Sequence, residues 1–158
     1  MAIATARQIS IRRLKEKDQP LLEEMYTDSI PPAEVMGLPP RDPDRRREWL
    51  QELREGINLV AFVDGTLAGH LVVMRDEGRG EIVAFVRPEF RRQGVAMALA
   101  QEAVELARKE NLTALWVLIE TTNVAARRGL LKFGFEREWA TMREMQLAYP
   151  LRYPEKTL

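Results

Sequence analysis

The chain of 158 residues has no cysteine, one histidine (His70) and two serines, Ser10 and Ser29. Without cysteine it can form no disulfide, no thiolate–metal site and no acyl-cysteine intermediate. One histidine is too few for a multi-histidine metal site, so we expect no metal centre. Neither serine lies in the GxSxG context of a hydrolase nucleophile, which argues against a Ser-His-Asp hydrolase.

Long apolar runs are also missing, because no stretch approaches the roughly 20 residues of a membrane-spanning helix. The N-terminus lacks the apolar core of a secretory signal. The 24 Lys and Arg residues balance 24 Asp and Glu residues, so the formal net charge is zero. General nucleic-acid binding rests on excess positive charge, so neither nucleic acid nor a membrane is an expected partner. We expect a single cytoplasmic domain over residues 1–158.

The hydrophobic pattern predicts a strand, two helices, three strands, a helix, a strand, a helix and a final strand. The predicted strands are 8–13, 58–63, 66–74, 81–86, 114–119 and 135–147, and the predicted helices are 17–28, 44–55, 95–110 and 123–134. Asp64-Gly65 predicts a two-residue hairpin turn. The wholly apolar segment 114–119 predicts a strand buried on both faces. This order predicts an α/β fold with a mixed sheet, antiparallel in its N-terminal half.

The segment 86–96, VRPEFRRQGVA, joins a predicted strand to a long predicted helix and places Gly94 in the first turn of that helix. The N–H groups of such a turn lack intrahelical partners, and the helix dipole favours anions there. Small residues at 94 and 96 would let a diphosphate approach the backbone. Positive charge comes from Arg87, Arg91 and Arg92. The alternative is an ordinary turn with solvated arginines, since neither GxxxxGK[ST] nor GxGxxG is present.

This segment resembles the acyl-CoA-binding motif of the GNAT superfamily of N-acetyltransferases, [QR]-x-x-G-x-[GA] after V-x-P-x-[YF]. The chain reads VRPEF over 86–90 and RRQGVA over 91–96. A second superfamily motif is matched by Asn123, Ala126, Lys132 and the GF pair at 134–135. The resemblance implies the GNAT (acyl-CoA N-acyltransferase) fold, in which the parallel strands 81–86 and 114–119 splay at the cofactor site.

The resemblance also implies an acetyl-CoA-dependent N-acetyltransferase and assigns residues to it by position. The amides assigned to the CoA diphosphate are those of Arg92, Gln93, Gly94, Val95 and Ala96, with Arg91 and Arg92 in support. Phe85 and Val86 would pair with the pantetheine arm. Asn123 would contact the cofactor arm or the reacting centre, and a simple helix cap is its other interpretation. Acetyl-CoA would donate the acyl group to a primary amine of a small molecule or a protein.

Acetyl transfer to an amine requires a neutral nucleophile, stabilisation of an oxyanion and a proton for the departing thiolate. Glu81 is the candidate base, since several superfamily members use a glutamate at this place; a solvated carboxylate beside Arg79 is the alternative. A backbone N–H near Val86 is the candidate donor to the oxyanion. Because no cysteine is present, we expect direct attack in a ternary complex.

The chain departs from the superfamily pattern at two positions of the predicted helix 123–134. Leu130 stands where many members carry a tyrosine that protonates the thiolate. Tyr149 is the candidate in its place, with Tyr153, Tyr26 or water as alternatives. Gly129 stands at a usually apolar position, and we expect close packing against the cofactor or neighbouring backbone to compensate the cost of a glycine within a helix.

Leu130 also keeps a second class of function open, a non-catalytic acyl-CoA-binding sensor or partner-binding module. A longer acyl donor or an alcohol acceptor is a further alternative within the enzyme class. We expect a structural role for His70. A homodimer is the commonest oligomeric state for such a domain and is our expectation here.

Overall fold

A computed structural model describes residues 8–29 and 39–151 of the chain. Its strands are β1 (Ile9–Arg13), β2 (Ile57–Val63), β3 (Thr66–Asp76), β4 (Arg79–Val86), β5 (Ala114–Glu120), β6 (Glu136–Ala140) and β7 (Glu144–Pro150). Its α-helices are α1 (Gln19–Asp28), α2 (Pro43–Leu53), α3 (Val95–Lys109) and α4 (Val124–Phe133). The predicted candidate Tyr153 lies outside the described residues, and so does most of the proline-rich segment 30–43.

The strands form one mixed sheet in the order β1-β2-β3-β4-β5-β7-β6. β1 to β4 pair antiparallel with their neighbours, β4 and β5 pair parallel, and β7 pairs antiparallel with both β5 and β6. The parallel crossover runs through α3, as the alternation of strand and helix patterns requires. The predicted mixed α/β fold with an antiparallel N-terminal half is confirmed.

The antiparallel half is connected by two tight hairpins. Asp64 and Gly65 have φ values of 49° and 83°, and Glu77 and Gly78 have 49° and 81°. Two consecutive positive φ values define the turn whose twist matches the twist of the flanking strands. The hairpin predicted at 64–65 is confirmed. At the second turn both strands extend beyond the predicted ends at 74 and 81, because pairing continues to Asp76 and Arg79.

The single strand predicted over 135–147 is wrong, because this segment contributes to two strands, β6 and β7. The turn between them, TMR at 141–143, has none of the glycine, proline or asparagine residues that mark turns in sequence. Its geometry depends instead on the Thr141 hydroxyl, which accepts hydrogen bonds from the N–H groups of Arg143 and Glu144 at 3.2 and 3.1 Å.

The main core lies between α3 and one face of the sheet and includes Leu71, Val73, Ile82, Leu99 and Leu115. A smaller core on the other face joins α1 and α2 to β2, β3 and β4 and includes Met25, Tyr26, Val60 and Phe85. The prediction that β5 is buried on both faces is wrong. Leu115 and Ile119 are buried with the main core, while Trp116 and Leu118 on the opposite face are half-buried.

Helix α2 begins at residue 43, one residue earlier than predicted. Its N-cap is Asp42, whose carboxylate accepts a hydrogen bond from the Arg45 N–H at 3.0 Å. Pro43 then occupies the first helical position, where its missing N–H costs nothing. Among the helices of the described residues, none is long and apolar enough to cross a membrane.

Candidate active site

The parallel strands β4 and β5 separate part of the way along their length. They pair at Arg79–Ala114, Gly80–Leu115 and Glu81–Trp116. Beyond Glu81, β4 continues to Val86, where it remains paired with β3, and β5 continues to Glu120, where it remains paired with β7. The sheet therefore opens between β4 and β5 at their carboxyl ends, as the resemblance implied.

The open edge of β4 presents backbone hydrogen-bonding groups to this gap. The Arg87 N–H donates to the Ala68 carbonyl at 2.8 Å, so Arg87 belongs to the hydrogen-bonded pairs of the β3–β4 ladder. These pairs alternate along an antiparallel ladder. The N–H and C=O groups of Ala84 and Val86 therefore point away from β3, toward the gap. Those of Phe85 are directed to β3, so its backbone is not available to a ligand in the gap as predicted, and Ala84 is in its place. An extended ligand placed there can pair with β4 as a further strand would.

The turn between β4 and α3 lies at the same end of the sheet. Arg92 and Gly94 have left-handed backbone conformations, with φ of 62° and 84°. Gly94 is the N-cap of α3, and its carbonyl accepts the first intrahelical bond from Ala98. The preceding N–H groups, those of residues 94–97, have no partner within the helix. The turn thus presents a set of amide donors at the positive end of the α3 dipole.

Arg91 and Arg92 are exposed beside this turn, in agreement with the predicted role in anion binding. Arg87 is not available in the same way, which corrects our inclusion of it among the cations near the phosphate. It is 8% exposed, its Nε donates to the Leu67 carbonyl at 2.8 Å, and its Nη1 lies 3.4 Å from an Asp28 carboxylate oxygen. Because side chains alternate along a strand, Arg87 follows Phe85 onto the face covered by α1.

Asn123 begins α4 just beyond the carboxyl end of β5. Its carboxamide oxygen accepts a hydrogen bond from the Ala126 N–H at 3.2 Å, so the predicted helix cap is confirmed. Three cations lie on α4: Arg127, Arg128 and Lys132. An ideal Cβ at Gly129 would meet nothing within 4 Å. The expected packing of Gly129 against neighbouring backbone is therefore wrong, and the fold does not require a glycine at this position.

Glu81 occupies the last pair before the strands separate, opposite Trp116. It is half-buried, and loss of hydration raises the pKa of its carboxyl, with a further contribution from the charge of Asp76. Arg79 does not neutralise it, because the Arg79 guanidinium binds Glu138 at 2.6 Å instead. A carboxylate with a raised pKa at the base of a gap has the properties of a proton acceptor.

The structure does not bring Tyr149 close to Glu81. Tyr149 pairs with Leu115 and shares its face, the one covered by α3, whereas Glu81 and Trp116 lie on the opposite face. The Tyr149 ring packs against those of Phe133 and Phe135, with centroids 5.4 and 5.5 Å away. We therefore propose no proton-transfer role for Tyr149. The sequence could not reveal this, because the face of a residue on β7 depends on its register with β5.

Tyr26, another alternative donor, is 1% exposed, and its hydroxyl is hydrogen-bonded to His70 Nδ1 at 2.8 Å. Burial raises its pKa, which disfavours ionisation of the phenol. Burial lowers the pKa of His70 to about 4, so its ring is neutral near pH 7. His70 thus has the buried, hydrogen-bonded setting expected of a structural histidine.

An open cleft with a volume of ≈ 660 Å³ lies at the carboxyl end of β5, lined by Glu120 and by residues 141–144 of the β6–β7 turn. Glu120 and Glu144 stand directly opposite each other across β5 and β7. Sequence reasoning did not predict this cleft. The sequence gives no sign of it, because the β6–β7 turn has no turn-forming residues and lies within the strand predicted over 135–147.

Comparison with known proteins agrees with this geometry. The sequence model of the acetyltransferase (GNAT) family matches residues 22–135. No curated protein matches the chain in sequence. Many solved structures match its fold.

Three of these structures span nearly the whole chain. An N-acetyltransferase from Staphylococcus aureus Mu50 has a TM-score of 0.75 and 19% identity, covering 92% of this chain and 99% of its own. The ribosomal-protein-S18-alanine N-acetyltransferase from Escherichia coli has a TM-score of 0.73 and 16% identity, and the match covers 96% of this chain and 99% of the other. PaiA N-acetyltransferase from Thermoplasma acidophilum was solved in complex with coenzyme A. It has a TM-score of 0.70 and 19% identity, and the match covers 90% of this chain and 99% of the other. At these identities the likeness shows a common fold.

Proposed function

Because the chain belongs to the acetyltransferase (GNAT) family, we propose that it is an acetyl-CoA-dependent N-acetyltransferase. The acceptor is a primary amine of a small molecule or of a protein. The amine nitrogen bonds to the acetyl carbonyl carbon, the thioester C–S bond breaks, the amine gives up a proton and the CoA sulfur gains one. The observation that carries the proposal is the separation of β4 and β5 beyond Glu81 and Trp116.

The residues around the gap fit an acyl-CoA donor. Above the Gly94 turn, an ideal Cβ would meet only Ile9 Cδ1, at 4.0 Å, so the backbone donors of the turn can be approached closely. The amides of residues 94–97 and the guanidinium groups of Arg91 and Arg92 would hold the diphosphate. The outward N–H and C=O groups of Ala84 and the C=O of Val86 would pair with the amides of the pantetheine arm, which leaves the Val86 N–H free for the acetyl carbonyl.

The acetyl carbonyl would then lie in the gap near the Val86 N–H, which is fixed in direction by the β3–β4 ladder. A preorganised N–H donor stabilises the negative charge that develops on the carbonyl oxygen, and removing one donor from an oxyanion hole typically costs about 10²–10³ in kcat. The role of the chain is to orient the donor and to exclude rotation of its carbonyl out of the gap.

Glu81 would accept a proton from the ammonium group of the acceptor, directly or through a water molecule, and so produce the neutral amine that attacks. An alkylammonium has a pKa near 10.4 and is almost wholly protonated at neutral pH. The nearby cleft is lined by two carboxylates, those of Glu120 and Glu144, and one guanidinium, that of Arg143, and this negative balance favours a cationic amine over a neutral alcohol as the acceptor. With Leu130 at the usual tyrosine position and Tyr149 on the other face, solvent water protonates the thiolate, whose reference pKa is about 8.5.

A second candidate function is favoured by Leu130 itself. Leu130 packs against the main core and has no proton to give. A domain with this gap and no dedicated acid is suited to bind acyl-CoA as a sensor or partner-binding module without turnover. The two candidates predict the same affinity for CoA and differ only in the chemical step.

The test is release of free thiol from acetyl-CoA in the presence of a panel of small amines and basic peptides, with CoA binding measured by calorimetry. We expect binding together with turnover of at least one amine. Binding without turnover across the panel would favour the sensor. Failure to bind any acyl-CoA would contradict both candidates.

A further inference from the structure

Three polar side chains, the buried Tyr26 and His70 and the half-buried Asn58, form a continuous hydrogen-bonded chain beneath α1. The Tyr26 hydroxyl lies 2.8 Å from His70 Nδ1, and His70 Nε2 lies 2.8 Å from the Asn58 carboxamide oxygen. The Asn58 amide nitrogen donates to the carbonyls of Leu53 and Gly56 at 2.9 and 3.0 Å. The chain of contacts thus connects α1, β3, β2 and the end of α2.

The contacts of Asn58 fix the direction of every hydrogen bond in this chain. Its amide nitrogen is committed to two carbonyls, so its oxygen faces His70 as an acceptor. His70 Nε2 must therefore carry the proton, and Nδ1 must accept from the Tyr26 hydroxyl. Lowering of the His70 pKa by burial is consistent with this neutral ring. Neither Tyr26 nor His70 is used by the proposed reaction.

At its Tyr26 end, this hydrogen-bonded chain lies against the part of β4 that has no β5 neighbour. The Tyr26 ring contacts the Phe85 ring at a centroid distance of 5.2 Å and the Trp49 ring of α2 at 5.2 Å. His70 is the residue directly paired with Phe85 across β3 and β4. Because β5 pairs with β4 only as far as Glu81, the position of β4 near Val86 depends on β3 and on the packing of Phe85.

We propose that Tyr26 is a positioning residue of the transferase site, whose hydrogen bond to His70 fixes its ring against Phe85 and so holds the Val86 backbone in the gap. The inference rests on the proposed function, since it concerns the backbone donor that the reaction would use. Tyr26 touches neither substrate. Its effect reaches the site through the Phe85 side chain and the β3–β4 ladder.

The first test is Tyr26→Phe, which removes the hydroxyl and keeps the ring contacts. We expect kcat for acetyl transfer to fall by about tenfold, because small displacements of positioning groups cost that much or more. The affinity for CoA, held mainly at the Gly94 turn, changes by less than about threefold, comparable to rim effects on binding. The control is Ile57→Val, a buried substitution on the α3 face of β2, assayed equally far below its own Tm.

A pair of substitutions at His70 separates its two hydrogen bonds. His70→Asn places an acceptor near the position of Nδ1 and keeps the bond from Tyr26, whereas His70→Gln places its amide near Nε2 and keeps the bond to Asn58. Both lose ring volume. We expect His70→Asn to retain most of kcat and His70→Gln to behave like Tyr26→Phe.

Hydrogen exchange of the Phe85 and Arg87 amides, which donate to β3, gives a readout that does not need turnover. We expect it to accelerate in Tyr26→Phe and His70→Gln and to stay unchanged in Ile57→Val. If the wild type transfers no acetyl group but exchange is still accelerated in Tyr26→Phe and His70→Gln, the proposed function is contradicted and the positioning role of Tyr26 is supported. A wild-type enzyme that turns over, with kcat and exchange unchanged in Tyr26→Phe, would overturn the inference.

Discussion

Two regions of the molecule treat their charged side chains in opposite ways. At the start of α1, Asp18 is 2% exposed and accepts hydrogen bonds from both terminal nitrogens of Arg12, at 2.6 and 2.8 Å, and from the Lys15 N–H at 2.8 Å. At the carboxyl ends of β4 and β5, the cations Arg91 and Arg92 are exposed and, within residues 8–29 and 39–151, form no ion pair.

The difference separates charges that serve the fold from charges available to a ligand. A buried carboxylate must be paired, since an unpaired one would cost several kcal/mol. Exposed arginines cost the fold little, and they retain their capacity to bind an anion. The zero net charge of the chain therefore conceals a cationic edge next to amide donors. The following substitutions test whether the two regions are as distinct as the structure indicates.

The largest effect is expected from Glu81→Gln, at the boundary between the paired and open parts of β4. Loss of a general base should lower kcat/KM by about 10²–10⁴. Because the pKa of Glu81 is raised, wild-type activity should climb with pH through a value above the ordinary glutamate range. The pH profile of the variant should lack this rise and keep the rise that deprotonation of the amine causes. Steady-state kinetics across pH measure both.

The matched control is Glu105→Gln, on the exposed side of α3. It should have wild-type kinetics at every pH. Full activity of Glu81→Gln over the same pH range would remove Glu81 from the reaction and would leave the amine to lose its proton to bulk water.

Asp18→Asn should destabilise the fold by about 2 kcal/mol, the range for hydrogen bonds to a charged group, while leaving the affinity for CoA unchanged. The Arg12 guanidinium lowers the pKa of Asp18 from 3.8 to about 2 in the folded state. The carboxylate therefore stabilises the fold above pH 4, and this contribution is lost as the pH falls from 4 to 2. Urea unfolding at pH 7 and at pH 2.5 measures the change, with about the full difference expected only at pH 7.

A weaker affinity for CoA in Asp18→Asn would show that the α1 region also serves the ligand, against the separation drawn above. The Arg12→Gln variant gives an independent check, since it removes the other member of the same pair and should destabilise the fold with the same pH dependence.

Gly94→Ala should weaken CoA binding by about tenfold, because a side chain at a left-handed residue costs about 1–2 kcal/mol and disturbs the amide donors of the turn. Gly65 and Gly78 supply matched controls, since their φ values of 83° and 81° are close to the 84° of Gly94 and an ideal Cβ meets nothing within 4 Å at either. All three alanine variants should lose similar thermal stability. Calorimetry should find weakened CoA binding in Gly94→Ala alone, and equal affinities in all three would contradict the assignment of the turn.

The smallest effect is expected from Gly129→Ala, in the middle of α4. Its added methyl group meets no protein atom within 4 Å, so the variant should gain up to about 1 kcal/mol of stability from helix propensity. Thermal unfolding with and without CoA measures it. If CoA stabilises the variant less than the wild type, the space beside Gly129 belongs to the ligand.

Local signals in the sequence predicted much of the fold and of the donor side of the site. The hairpin at Asp64-Gly65, the cap at Asn123 and the special backbone at Gly94 follow from the conformations that these residues allow. The motifs at 86–96 and 123–135 predicted that these two segments lie at one end of the sheet. The β6–β7 turn escaped because Thr141 makes it with a side-chain hydrogen bond rather than with turn-forming residues.

The surroundings of individual polar side chains depended on register and on the face each side chain takes. Arg87 was placed with the phosphate-binding cations, yet strand alternation turns it toward Asp28 and Leu67. Tyr149 was the candidate acid, yet its pairing with Leu115 places it on the face opposite Glu81. A shift of one residue along a strand exchanges the two faces, and no local pattern in these segments specifies that shift.

The sequence by itself determined the identity and order of the elements, the two motifs and the need for glycine at 94, since each depends on the conformational freedom and periodicity of neighbouring residues. The tertiary structure decided where β4 parts from β5, which face each polar residue occupies and how Tyr26, His70 and Asn58 meet. Those features arise from contacts between residues far apart in the chain, so they exist only once the sheet has formed in one register.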